Sequence, residues 1–356
     1  MLSSVDKLVS AARPARLLLR LGALLVTTWL IPIRSFAGDS AQRAFPTPQG
    51  AVDALIAAAK ASDPKAAAGP ILGADADKIL SSGDKVADDN ARKRFVAKYD
   101  EMHRLGYDSD GRVILYVGAE NWPLPIALVK KDNGWVFDTA AGEKELVYRR
   151  IGTNELDTID VLDNLVEAQS EYAAQARERT GVAQYAQKIL SDQGQRNGLY
   201  WPAAAGAAES PIGPLIAAAV SEGYRRGQGD QPVPFHGYIY RVLTAQGKDA
   251  SGGARSYIRN GRMTRGFAFL AYPATYRSSG VMTFVVGRDG VVLQKDLGPD
   301  TASVAQQMTL YDPDKSWQEA IPGGIEPEEL PPEETESSAA QMDAAQSEGA
   351  APAGAR

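Results

Sequence analysis

Two histidines, His103 and His236, are the residues best suited to proton transfer in a chain of 356 residues that contains no cysteine. Histidine titrates near neutral pH, so it serves readily as a general base or a ligand donor. His236 heads the alternating run Gly237-Tyr238-Ile239-Tyr240-Arg241-Val242-Leu243, which places it at a strand end among aromatic neighbours. There it acts either as a general base or ligand donor, or as a ring bonded to loop backbone, the usual fate of a buried polar group. His103 falls near a predicted helix end, where a favourable contact with the helix dipole is its ordinary role. Asp138, Glu155 and Asp296 would work as an acid and base pair only if folding brought two of them close; otherwise they are solvated carboxylates. The run Tyr200-Trp201-Pro202 offers flat rings that either stack on a sugar or peptide or cap the core. The expected ligand-binding surface therefore comprises Tyr200, Trp201, His236 and Tyr238, with His236 the candidate catalytic residue. Arg259-Asn260-Gly261-Arg262, with Arg265, is a basic loop on an acidic chain, read either as an anion site or as a plain turn around Asn-Gly.

The missing cysteines exclude disulfides, thiol catalysis, cysteine-ligated metals and a lipid-modified cysteine. With two histidines no dedicated zinc or copper site is expected, and only a carboxylate-rich calcium site stays open. No Gly-x-Ser-x-Gly elbow, phosphate-cradling loop or dinucleotide fingerprint occurs, so no cofactor is expected.

The elements that must position these residues fall into two predicted α+β units, over residues 45–140 and 153–320. In the first, Thr47 caps a helix that has Pro48 at its first position and runs to about Ala61, where Asp63-Pro64 stops it. A looser stretch over 71–80 leads through Ser81-Ser82-Gly83-Asp84 to a helix over about 88–104. Three strands follow, at 112–117, 125–130 and 134–138, the last two joined by a turn containing Asn133-Gly134. The second unit opens with an amphipathic helix from Glu155 to about Arg177. Leu156, Ile159, Leu162, Val166, Gln169, Tyr172 and Ala173 form its buried face, and Asp157, Asp160, Asp163 and Glu167 face water. A short helical piece over 185–190, the aromatic loop and a helix ending near Gly223 precede a Gly- and Pro-rich connection over 224–234. Strands at 237–243, 267–273, 281–286 and 291–295 then form an antiparallel meander, with Asp289-Gly290 supplying the last turn.

Both ends of the chain read differently. Lys7, Arg13, Arg16 and Arg20 precede an apolar run over 21–31, and Ser35-Phe36-Ala37 offers small residues for an export protease. Residues 1–37 are thus expected to be a secretory signal peptide, since the run is short of the roughly 20 residues of a bilayer span. They hold five basic residues (with Arg34) against Asp6, so their loss takes the net charge from −6 to −10. Nucleic acid is a poor partner for such a surface, and no membrane span is expected to persist after cleavage. Residues 323–356 carry Glu326, Glu328, Glu329, Glu333, Glu334, Glu336, Asp343 and Glu348 amid Pro, Ser and Ala, the composition of a disordered, solvating tail.

Three resemblances follow from these phrases. The strand pair ending in Asn133-Gly134-Trp135-Val136-Phe137-Asp138 resembles the closing hairpin of nuclear-transport-factor-like folds, which implies a cone-shaped sheet around a pocket over 45–140. The long helix followed by Gly-Tyr-Ile-Tyr-Arg-Val-Leu, Phe-Ala-Phe-Leu-Ala-Tyr-Pro and Asp-Gly-Val-Val resembles the globular head of type IV pilins and pseudopilins over 153–298. The whole stretch from Phe45 to Trp317 is similar to an uncharacterised family of exported bacterial proteins, domain of unknown function 2950. Its signature phrases are Thr-Pro-Gln-Gly-Ala-Val-Asp-Ala-Leu (47–55), Leu-Ser-Ser-Gly-Asp (80–84), Gly-Leu-Tyr-Trp-Pro (198–202), Phe-His-Gly-Tyr (235–238), Leu-Thr-Ala-Gln-Gly (243–247) and Lys-Asp-Leu-Gly-Pro-Asp-Thr (295–301). The expected function is an exported, periplasmic or secreted, binding or scaffold protein whose partner is an envelope protein or small ligand. The alternatives are a periplasmic hydrolase or isomerase with His236 as general base, and a pilin-like assembly component.

Overall fold

The Thr47 hydroxyl accepts the Gly50 amide at 3.1 Å, so α1 (Pro48–Ala59) starts where its cap and its proline dictate, in a computed structural model that describes residues 42–203, 209–225 and 233–320. The predicted signal peptide and acidic tail lie outside the described residues. Helix α1 buries Val52, Leu55 and Ile56, and Asp63 then caps α2 (Pro64–Leu72) through the Ala66 amide. A single tight turn at Gly73–Asp75 leads to α3 (Ala76–Leu80) and, after Asp84, to α4 (Lys85–Glu101). Helix α4 is shorter at its end than expected, because the chain turns extended at Met102 to form β1 (His103–Tyr107). His103 is therefore a strand residue. Strand β1 was hidden in the sequence because it lies at a sheet edge with no fully buried residue, and so shows no alternation.

The first sheet continues through β2 (Val113–Val117), β3 (Trp122–Pro123), β4 (Leu128–Lys131) and β5 (Gly134–Phe137), in the antiparallel order β1-β2-β4-β5 with β3 on β2. It shares a core with α1 to α3 built from Val52, Leu55, Ile71, Leu115, Leu128 and Phe137, among others.

Helix α5 spans Thr139–Thr180, 42 residues, where the sequence suggested a start at Glu155. Asp138 caps it and Gly181, at φ 74°, ends it in the left-handed conformation. Gly142, Gly152 and Thr153 weaken the local helix signal, but burial of Val147, Ile151, Ile159, Leu162, Leu165 and Tyr172 carries the helix through them. Leu156, expected on the buried face, is 47% exposed, while Asn154 and Thr158 are buried.

Beyond α5 the predicted helical piece at 185–190 is instead extended. The buried Gln169 side chain holds Ala186 by both backbone groups, at 2.8 Å and 2.9 Å, and Tyr185 bridges to Met263, which pulls the segment straight. It forms β6 (Lys188–Leu190), parallel to β7 (Gly198–Tyr200), and α6 (Gly213–Glu222) follows. The second sheet begins with β8 (Tyr238–Leu243). Two small hairpin arms come next, β9 (Ala245–Gln246) with β10 (Arg255–Ser256) and β11 (Ile258–Arg259) with β12 (Arg262–Met263). Then come β13 (Ala268–Pro273), β14 (Met282–Gly287), β15 (Val292–Asp296), α7 (Thr301–Gln307) and β16 (Gln318–Glu319). The order β16-β15-β14-β13-β8 is antiparallel throughout, and the two strands expected to pair across Arg288-Asp289-Gly290 do so. Strand β13 is buried along its whole length, with α5 and α7 both packed on it. Gly280 has no room for a methyl group, which would land on the Tyr238 hydroxyl. The α+β class, with a helix-plus-meander first part and a long helix on a small antiparallel sheet in the second, is as the sequence indicated.

Candidate functional site

Asp84 is the N-cap of α4, and one of its oxygens accepts the Val86 and Ala87 amides at 3.1 Å and 3.0 Å. The other oxygen accepts the Tyr224 hydroxyl at 2.9 Å and the Gly237 amide at 3.0 Å. The carboxylate is 2% exposed, and its four donors satisfy it without a cation. Burial first, and the Asp84 charge second, push the Tyr224 phenol far above its ordinary range, so it stays a donor to Asp84. The same hydroxyl accepts the His236 amide at 3.2 Å.

His236 and Gly237 are the central pair of a two-residue turn closed in both directions between Phe235 and Tyr238. Both have positive φ, 49° and 77°, as a type I′ turn requires. Histidine is among the few side chains that tolerate this region, and a methyl group on Gly237 would collide with the Asn154 amide. The turn thrusts the imidazole between two helices. Nδ1 lies 3.1 Å from Asp157 Oδ2 on α5, and Nε2 lies 3.0 Å from Glu222 Oε2 at the end of α6. Both partners are acceptors when ionised, so a protonated ring donates to both of them, one from each nitrogen. The bond to Asp157, and then that to Glu222, raise the His236 pKa against the opposing effect of burial. Phe235 covers the ring at 4.1 Å between centroids.

One turn of α5 makes the rest of this seam. Glu155 Oε1 accepts the Val281 and Met282 amides at 2.8 Å and 2.9 Å. The Asn154 amide donates to Ser279 O at 2.8 Å, and Tyr240 donates to Thr158 at 3.2 Å. At the far end, the Asn90 side chain of α4 donates to Glu222 O at 2.9 Å, so α6 is tied at its last turn to α4 and, through His236, to α5.

The other sequence candidates each have a structural role. Tyr238 is fully buried, its hydroxyl donating to Met282 O at 2.9 Å. Trp201 is 3% exposed and belongs to the core, edge-on to Tyr172 at 6.2 Å, with the Arg196 and Arg179 guanidiniums over its ring. Tyr200, half-buried in β7, accepts the Ser191 amide through its carbonyl at 2.8 Å. Trp201 and Tyr238 are buried in the same apolar core, and Tyr200 packs against it. Asp138 caps α5, Glu155 binds the β14 entry, and Asp296 accepts the Tyr276 hydroxyl and the Gly298 amide. Each acid thus has its own structural partner. His103 stacks on Tyr99 at 3.7 Å and meets the Tyr99 carbonyl through Nδ1 at 2.9 Å. Among the described residues no three His, Asp or Glu side chains are placed to hold a metal ion.

Sequence reasoning missed Asp84, Asp157, Glu222 and Tyr224. Asp157 looked like a solvent-facing helix acid, and Tyr224 fell in a stretch read as connection. A signal was nonetheless present: Leu-Ser-Ser-Gly-Asp and Phe-His-Gly-Tyr, two of the phrases that carry the family resemblance, meet at the bond from the Gly237 amide to Asp84. Residues 42–320 match the family described as Protein of unknown function (DUF2950). The chain belongs to that family. No curated protein matches the chain, and no solved structure does, so the pilin-like and nuclear-transport-factor-like resemblances find no support there. Among the described residues of this DUF2950 protein no helix is long and apolar enough to cross a membrane.

Proposed function

We propose that this DUF2950 protein is an exported, non-catalytic binding or scaffold module of the cell envelope, in which His236 is a structural clasp. The observation that carries this reading is the double engagement of the imidazole by Asp157 and Glu222. A general base needs a neutral nitrogen with a free lone pair in reach of a substrate proton. His236 offers neither: both nitrogens are committed, and neighbouring carboxylates favour the charged ring. The signal-peptide composition of residues 1–37 supports an envelope location. The division into units at 45–140 and 153–320 is part of the proposal, supported by two apolar clusters, one within 45–137 and one within 159–320.

The test pairs location with stability. Chain recovered from an envelope fraction should begin at residue 38 by mass spectrometry, and His236→Asn should melt at a lower temperature than the parent. Asparagine keeps the tolerance for positive φ while removing the charge, so a loss reports the clasp and not the turn. A full-length chain retained in the cytoplasm contradicts the export reading. An unchanged melting temperature contradicts the clasp and returns His236 to the base of a hydrolase or isomerase.

A further inference from the structure

The hairpin β11–β12 places Arg259 directly opposite Arg262 across the two-residue turn Asn260-Gly261, whose φ values are 51° and 74°. Residues directly opposite in an antiparallel pair project to the same face, and like charges placed so are destabilising. Other arginines of the protein are matched by carboxylates: Arg112 pairs with Asp108 and Arg149 with Glu145. Arg259 and Arg262 have no carboxylate, carbonyl or ring partner among the described residues. Both side chains instead line one concavity of about 380 Å³, with Val182, Asn260 and Thr264. The hairpin itself is firmly seated, since Gln187 Nε2 donates to Gly261 O at 2.9 Å and Tyr185 pairs with Met263. Two arginines without a counter-charge thus border one open concavity, on a chain with net charge −6.

From this arrangement we infer that the β11–β12 hairpin is an anion clamp for a phosphate-bearing ligand. A carboxylate has two oxygens in one plane, which a single guanidinium fork already occupies. A phosphoryl group presents three oxygens in different directions, so it accepts from both forks and from the Thr264 hydroxyl at once. Val182 borders the same concavity and supplies an apolar contact for the attached group. A phosphomonoester fits best. The clamp names a site for the binding role proposed above, and its biological sense rests on that reading, although its test does not.

Calorimetric titration and thermal shift of the whole protein at low ionic strength, with inorganic phosphate and phenyl phosphate, test the clamp. Succinate serves as the carboxylate control. Expected are saturable binding of both phosphates, tighter for phenyl phosphate, little response to succinate, and at least tenfold weaker binding in Arg259→Gln and in Arg262→Gln. Arg262→Glu should abolish binding yet melt no lower than the parent without ligand, since it turns a repulsive pair into an attractive one. That outcome separates lost binding from lost folding. Flotation with phosphatidic acid vesicles, against phosphatidylcholine, distinguishes the source: arginine-dependent flotation with no response to free phosphates keeps the clamp and assigns it to a lipid phosphomonoester headgroup. The inference is overturned if neither phosphate nor vesicle binds, if binding survives both glutamine variants, or if succinate matches phosphate. His236→Asn should bind phosphate as the parent does; binding lost there but kept in the arginine variants would move the anion site to the clasp and also overturn it.

Discussion

At the scale of single residues, the account turns on protonation and on saturation of Asp84. The His236 pKa is raised above its ordinary 6.5, so its contribution to stability is fully present below that value and is lost as pH rises through the folded-state pKa. The groups facing the ring are Asp157, Glu222, Tyr224 and Phe235. The gap in melting temperature between the parent and His236→Asn should therefore be widest near pH 6 and shrink toward pH 9. A gap that grows with pH would contradict the assignment. With the ring and acids partly exposed, the gap should correspond to roughly 1–2 kcal/mol at its widest. Asp84→Ala should cost more, on the order of 2–4 kcal/mol by denaturant unfolding, because it removes a helix cap and strands the buried Tyr224 hydroxyl and Gly237 amide. Little of this was legible beforehand. His236 stood out by type, but its acids come from positions 157 and 222, and only folding brings them to one ring.

At the scale of elements, α5 decides where everything else goes. Its turn at 154–158 meets the His236 turn, the β14 entry and Tyr240, while Leu162 and Leu165 further along are covered by the second core. Leu162→Ala should cost about 2–5 kcal/mol as a buried cavity, whereas Leu156→Ala should change stability by less than about 0.5 kcal/mol, since Leu156 is 47% exposed. Equal costs at the two sites would mean the helix face is misassigned. The periodicity of α5 showed that a buried face existed but placed Leu156 on it, because apolar spacing of three cannot tell the centre of a stripe from its margin. The meander around Asp289-Gly290 was readable because strand alternation and turn chemistry agree there. Strand β1 and the straightened 185–190 segment were not, since one is an edge and the other is held by a distant glutamine.

For the whole molecule, the seam of Asp84, Tyr224, His236 and Asp157 ties α4, α6, the β8 turn and α5 together with side chains and backbone at sequence separations of up to 153 residues. Arg150 of α5 adds to it, reaching the carbonyls of Lys78, Ile79 and Ser278, and Ser278 donates to Ser81 O at 3.1 Å. We expect such a bond set to couple the unfolding of the two apolar clusters into one event. Calorimetry of the parent should show one transition, and Asp84→Ala should split or broaden it; a parent that already melts in two steps would speak against the seam. The central claim, that His236 is a clasped imidazolium and not a base, is most directly tested by an NMR pH titration of the imidazole carbons. With only His103 and His236 present, one His103→Gln variant assigns both signals. The account predicts a His236 midpoint above 6.5, both ring nitrogens protonated at pH 6.5, and a lower midpoint in Asp157→Asn. A midpoint at or below 6.5 with a neutral ring would contradict it.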